Sequence, residues 1–292
     1  MFLQTRQKIF LASLGFRLVR ASRRIARKPL EGVFRRKGFR WELDLREVVD
    51  FMIYLTGSFE PSLSRFVEKN IPPGSTVADI GANVGVHTLP MARAVGREGQ
   101  IIAVEATEYA FAKLRRNIGL NAELAGRIHA LHCQLVAPGR PGAAVADSIP
   151  SSWPFESRAE RHPSHQGVSK SVGDADRVTL DELCDRRSLR NLHLIKIDVD
   201  GNEWDVLSGG ETTFRRMKPI IVMEVAPDYH EERHEKSFLN IHDFLTGLGY
   251  QFRDFRGRQL PPDAGQLAAM LPRGATMNVV VTHRDSERLD YL

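Results

Sequence analysis

The sequence predicts an α/β fold: a mostly parallel central sheet with helices on both faces, preceded by a helical N-terminal extension. Three observations carry this prediction. Short apolar runs alternate with helical patterns at βαβ spacing, the runs are apolar on both faces as covered strands must be, and a glycine-rich turn closes the first of them. The composition of the 292 residues, 42% hydrophobic and 26% charged, excludes a disordered, collagen-like or disulfide-rich chain.

The chain divides into a basic arm over residues 1–40, a helical lead-in over 41–75, and a body over 76–292 that carries an insertion loop at 138–178. Residues 1–40 hold 12 Lys or Arg and one acid, a charge of +11, which leaves −6 on residues 41–292 from the net +5. The body is acidic and lacks a stripe of basic and aromatic residues, so no nucleic-acid partner is expected. On a helical wheel Phe10, Leu14, Leu18, Ala21 and Ile25 share one face of the arm, and Arg17, Arg20, Arg23, Arg24 and Arg27 share the other. Such a helix either lies peripherally at an anionic membrane surface or packs its apolar face on its own domain. The apolar run 9–16 is followed by Arg17 with no small-residue cleavage site, so a signal peptide is not predicted. The longest stretch without Asp, Glu, Lys or Arg, residues 80–92, has 13 residues, short of the roughly 20 that span a bilayer. Cys133 and Cys184 have no CxxC partner and are expected as buried thiols in a reducing cytoplasm.

In order, residues 41–70 mix helical periodicity with turns at Gly57 and Pro61. Residues 76–82, 100–106 and 127–137 read as strands, and 85–95 and 107–124 as helices between them. The Pro-, Gly- and Ser-rich stretch 138–178 reads as a short hairpin plus a mobile loop. Alternation resumes with strands at 192–200 and 219–225, a helix at 201–217 between them, a helix at 237–250, a strand or hairpin at 251–257 and a last strand at 277–283.

The strongest local signal is Asp79-Ile-Gly81-Ala-Asn83-Val-Gly85. Glycines at a strand's carboxyl end allow a tight turn and the close approach of a ligand to the main chain. A dinucleotide site uses G-x-G-x-x-G with pyrophosphate on the helix N-terminus. Here the spacing is G-x-x-x-G, and Asp79 is poorly placed beside pyrophosphate but well placed beside the sulfonium and ammonium of S-adenosylmethionine. Glu105, 24 residues after Gly81, ends the next strand, where its carboxylate can accept both ribose hydroxyls of an adenosine cofactor.

The second stretch is IKIDVDGNEWDVLSGG, in which Lys196, Asp198 and Asp200 alternate with apolar residues on a strand expected to be central. Buried charges need partners, and a Lys196–Asp198 pair is the simplest resolution. Glu203 begins the next helix and Glu224 ends the next strand, both near the same edge.

These segments (ADIGANVGVHTL, VEATEYAFAKLRRNIGLN, RVTLDEL, LIKIDVDGNEWDVLSGG and PIIVMEV) resemble, in order and spacing over about residues 41–250, the FkbM-type S-adenosylmethionine-dependent methyltransferases. The resemblance implies a class I methyltransferase Rossmann-like fold and O-methylation of hydroxyl groups on sugars, glycans or polyketide-derived metabolites. Carried over by position, Asp79, Gly81, Asn83, Gly85 and Glu105 line the cofactor, and Asp198 and Glu203 lie near the transferred methyl. The chain departs from the family pattern at Ala106, where Pro is usual, and at Asp200, where Glu is usual.

Methyl transfer to an alcohol needs a base, for which Asp198 is the first candidate and Glu203 the second, with His162 and His165 of the long loop as further ones. His87 is expected to pack or cap. Asp198, Asp200 and Glu224 offer oxygens for Mg²⁺, but without a supporting second-shell pattern no metal site is assigned. The competing classes are an NAD-dependent oxidoreductase, disfavoured by Asp79 and the glycine spacing, and a non-catalytic membrane adaptor built on the arm.

Overall fold

The computed structural model describes residues 5–139, 147–156, 167–227, 238–272 and 275–286. Helix α1 (Thr5–Ile25) is followed by a hairpin of β1 (Glu31–Arg36) and β2 (Phe39–Asp44), then α2 (Val48–Thr56) and α3 (Pro61–Asn70). The alternating part runs β3 (Thr76–Ile80), α4 (Thr88–Ala94), β4 (Gln100–Glu105), α5 (Glu108–Leu120), α6 (Ala122–Ala125) and β5 (Ile128–Leu135). An inserted hairpin, β6 (Ser148–Ser152) and β7 (Val168–Ser171), precedes β8 (Asp176–Val178), α7 (Leu180–Arg186) and β9 (Leu194–Ile197). The chain continues through α8 (Glu203–Ser208), α9 (Glu211–Met217), β10 (Ile220–Val225), α10 (Phe238–Gly247), β11 (Tyr250–Arg253), α11 (Ala264–Ala269) and β12 (Met277–His283).

The main sheet has eight strands in the order β11-β12-β10-β9-β3-β4-β5-β8. All neighbours from β10 to β8 are parallel, and β12 runs antiparallel between β10 and β11. Alternate residues of the strands feed two separate cores. Ala78, Ile80, Ile102, Ile195 and Ile197 join one, and Val77, Ala103, Leu194 and Val222 join the other. This explains the near-continuous apolar runs in the sequence. Because β3 neighbours both β4 and β9, the strand order reverses there, and the carboxyl ends of these strands open onto the crevice where such sheets bind ligands.

Several local expectations shift. The strand expected over 192–200 ends at Ile197, and Asp200 sits at φ 50°, so Asp198 and Asp200 belong to a loop. The helix expected over 201–217 is two helices, because the chain at Gly209 approaches β5 so closely that a Cβ there would lie 2.6 Å from the Val136 carbonyl oxygen. The hairpin expected in the insertion is β6–β7, while 140–146 and 157–166, the latter with His162 and His165, lie outside the described residues. The insertion's last residues form β8, which extends the sheet parallel to β5, and the Thr179–Glu182 capping box then starts α7. The β1–β2 hairpin, not expected from the pattern, crosses the junction between arm and lead-in.

Helix α1 packs through Phe16, which stacks on Phe155 with ring centroids 4.5 Å apart and meets the edge of Phe51 at 5.7 Å. Phe10, Leu14, Leu18 and Ile25 are exposed, so of the two alternatives the one in which this stripe packs on the domain does not hold, and a different face of the helix packs. Among the described residues no helix is long and apolar enough to cross a membrane.

Candidate active site

The turn from β3 into α4 brings three residues to positive φ: Gly81 at 77°, Asn83 at 49° and Gly85 at 94°. Asn83 tolerates this because its own Oδ1 accepts a hydrogen bond from the Val84 amide at 2.8 Å. Gly81 has a stricter reason, since a Cβ there would lie 1.8 Å from the Asp198 carbonyl oxygen. Glycine at this position lets the two loops of the crevice touch. Gly81→Ala is expected to cost about 1–3 kcal/mol from φ alone, with the clash in addition. Urea unfolding measures the loss, and calorimetry should find S-adenosylmethionine binding abolished.

The Glu105 carboxylate, buried at the end of β4, accepts from the Asn83 amide at 2.9 Å on one oxygen and from the Thr107 amide at 2.9 Å and hydroxyl at 2.8 Å on the other. Burial raises its pKa, and these hydrogen bonds oppose the rise. The Thr107 hydroxyl also lies 3.0 Å from that of Ser151, which ties the inserted hairpin to the site.

A cleft between these loops is lined by Gly81, Asn83, Glu105, Gln134, Asp198 and Asp200, with Ile149, Pro150 and Ser151 of β6 among its walls. Among the described residues three carboxylates and no Lys, Arg or His line it, a set that fits a cationic ligand with ribose hydroxyls and fits pyrophosphate poorly. S-adenosylmethionine therefore suits these residues. Cys133 forms part of the wall, and burial pushes its thiol up to about 12, so it stays protonated.

Asp79, expected beside the cofactor's cationic groups by its charge as well as by position, and Gly85, expected there by position, do not line the cleft. Asp79 is fully buried, accepts from the Thr88 hydroxyl at 2.6 Å and lies 3.3 Å from the Lys196 ammonium. Lys196 also donates to the Gly81 carbonyl at 2.8 Å and lies 3.5 Å from Asp198. The Lys196–Asp198 pair is thus present, with Asp79 slightly closer. Burial alone would lower the Lys196 pKa, but Asp79, then Asp198 and Glu60, raise it, so the ammonium stays charged and holds both loops.

A second cavity of about 470 Å³ shares Asn83, Asp198 and Asp200 with the first. Its polar groups include Glu60, His87, Lys196, Glu224 and Asn278, and its apolar wall comes largely from α1, α2 and α3. The His87 Nε2 lies 3.5 Å from Glu60, which also accepts from Asn278 at 2.7 Å. His87 therefore does more than pack or cap, and its buried Nδ1 has no hydrogen-bond partner among the described residues. Glu60 and Asn278, 218 residues apart, went unrecognised in the sequence because neither sits in a motif. Burial raises the Asp198 pKa against the pull of Lys196, and burial plus the charges of Asp198 and Glu60 raise that of Glu224 well above the usual range. Glu203 lines neither cavity; its carboxylate accepts from the Val199 and Gly201 amides, both at 3.3 Å. Among the described residues no group of three or more His, Cys, Asp or Glu is arranged to hold a metal.

The profile of the methyltransferase FkbM domain matches residues 79–252. The chain is 26% identical over 178 residues to methyltransferase sdnD of Sordaria araneosa, covering 53% of this chain and 68% of that one. It is 25% identical over 206 residues to methyltransferase 1 of Beauveria bassiana, covering 66% and 78% respectively. Among solved structures it is similar to methyltransferase FkbM from Methylobacillus flagellatus at 16% identity and a TM-score of 0.44, covering 72% of this chain and 44% of that one. The profile match takes in the glycine turn, Glu105 and the Asp198 loop and extends over more than half of the sequence: the chain belongs to the FkbM family of S-adenosylmethionine-dependent methyltransferases.

Proposed function

We propose that the protein methylates a hydroxyl of a sugar, glycan or related metabolite held in the 470 Å³ cavity. The observation that carries this reading is that one loop, through Asp198 and Asp200, lines both the cofactor cleft and the second cavity. When bound, S-adenosylmethionine supplies a methyl carbon on a sulfonium, open to in-line displacement by an oxygen nucleophile.

Asp198 is the proposed base. Half-buried, with 33% of its side chain exposed, it takes the hydroxyl proton as the oxygen–carbon bond forms and the carbon–sulfur bond breaks. Glu203, the second candidate, is proposed to act through the backbone: by accepting from Val199 and Gly201 it fixes the loop that aims Asp198. Gly81, Asn83 and Glu105 are proposed to contact the cofactor, Glu105 through the ribose hydroxyls, while Asp79 and Gly85 shape the turn that carries them. The reading includes a cytoplasmic placement with the +11 arm at an anionic membrane surface.

Glu105→Gln is expected to weaken S-adenosylmethionine binding about tenfold or more, because hydrogen bonds to a charged acceptor contribute about 1.5–3 kcal/mol. Calorimetry with the purified protein, followed by a labelled-methyl screen against glycans and lipid-linked sugars, tests the whole reading. Tight NAD binding with no S-adenosylmethionine binding would overturn it.

A further inference from the structure

Helix α1 has two apolar faces, and only one is used by the fold. Phe16 is 3% exposed, and Ile9, Ala12 and Val19, on the same side, are half-buried against the body. At 100° per residue, Phe10, Leu14, Leu18 and Ile25 point about 180° away from that side. They are 63%, 43%, 75% and 86% exposed. Large apolar side chains repeated along one face of a helix at this exposure mark an interaction surface. Leu55 of α2, 47% exposed, lies at the flank between the packed face and the stripe, its Cδ1 3.9 Å from the point a Cβ on Gly15 would occupy.

The charge beside the stripe identifies what covers it. Arg17, Arg20 and Arg24 run along one border, and Arg27 and Lys28 follow the helix end, all exposed. A second copy seated face to face would bring the two basic borders together, whereas an anionic lipid surface is complementary to both the apolar stripe and the basic border.

The same helix walls the second cavity. Ile9 and Ala12, on the packed side of α1, line it together with Val48, Met52 and Leu63, while the polar groups are supplied mainly from the carboxyl edge of the sheet. A helix is about 10 Å across, so the stripe lies one helix diameter from the apolar wall of the cavity.

We propose that the stripe Phe10, Leu14, Leu18 and Ile25, with its arginine border, seats the protein on an anionic bilayer, and that the methyl acceptor is an amphiphile taken from it. The hydroxylated head of the acceptor occupies the polar end of the cavity beside Asp198, and its apolar part lies along α1 and α2. The acceptor half rests on the methyl-transfer reading above; the docking half sharpens the membrane placement proposed there and does not depend on methyl transfer.

The test uses the full chain and vesicles of phosphatidylcholine with or without about one third phosphatidylserine. Sedimentation should show at least tenfold more protein on the anionic vesicles, and Leu14→Glu with Leu18→Glu should remove at least nine tenths of that binding. Both side chains are exposed, so the double variant should keep its Tm and its affinity for S-adenosylmethionine. This separates failure of docking from failure of the methyltransferase reading. Equal binding to neutral and anionic vesicles, or undiminished binding by the double variant, would overturn the docking. So would light scattering that shows a dimer broken by the substitutions while the original chain ignores vesicles. For the acceptor, octyl glucoside below its micellar concentration should bind at least tenfold more tightly than glucose by calorimetry, and Met52→Glu should erase the difference. Equal affinities would refute the amphiphile.

Discussion

With Asp198 as the proposed base, Asp198→Asn is expected to lower kcat for methyl transfer by about 10²–10⁴-fold while leaving S-adenosylmethionine binding within an order of magnitude. Asparagine keeps the shape and one acceptor oxygen, so the contact with Lys196, at 3.5 Å, weakens without a steric change. What disappears is the capacity to hold the acceptor's proton. The pH profile separates this role from a structural one. Burial, the largest influence, raises the Asp198 pKa above the ordinary range, and Lys196 only partly offsets it. The active form is the carboxylate, so in the original chain the rate falls as pH drops through that raised pKa, and this acidic limb should be absent in the variant. A variant that retains more than a tenth of the activity with the limb intact would remove Asp198 from the role of base.

The second large effect is on stability. Lys196→Met leaves the fully buried Asp79 carboxylate with the Thr88 hydroxyl but no cation, and removing one member of a buried pair costs about 3–5 kcal/mol. At about 2–4 °C per kcal/mol for a chain of this size class, Tm should fall on the order of 6–20 °C. Adding Asp79→Asn to Lys196→Met should restore much of the loss, because the uncompensated charge is then gone. Equal Tm values for the single and double variants would show that the pair is not what holds the two loops.

The parts of the molecule legible in the sequence are those with a local physical cause. The strands of the parallel sheet announce themselves as runs apolar on both faces, and the turn at Gly81 is marked by residues that a positive φ requires. The strand over 192–200 was read too long because IKIDVD alternates perfectly, while the bend at Asp200 and Gly201, at φ 50° and 93°, depends on the loop's packing against Gly81. For α1 the periodicity was sound but its orientation was not encoded. Two apolar faces compete, and the rings of Phe51 and Phe155, 35 and 139 residues further on from Phe16, select the one that packs. The Lys196 ion pairs were half legible, since Asp198 is near in sequence and Asp79 becomes a neighbour only through sheet register. The Glu60, His87 and Asn278 contacts join three distant segments and leave no local trace.

The antiparallel strand β12 sets an order of events during synthesis. It lies between β10 and β11, so it can enter the sheet only after both have emerged, and it carries Asn278, which donates to Glu60. A ribosome-bound chain that stops short of residue 277 presents the β10 edge unpaired, a template for aggregation. The cleft is lined by described residues up to Val206 of α8, whereas the second cavity also draws on Thr276 and on Asn278 of β12. A nascent chain therefore holds all the described residues of the cleft well before it holds those of the second cavity.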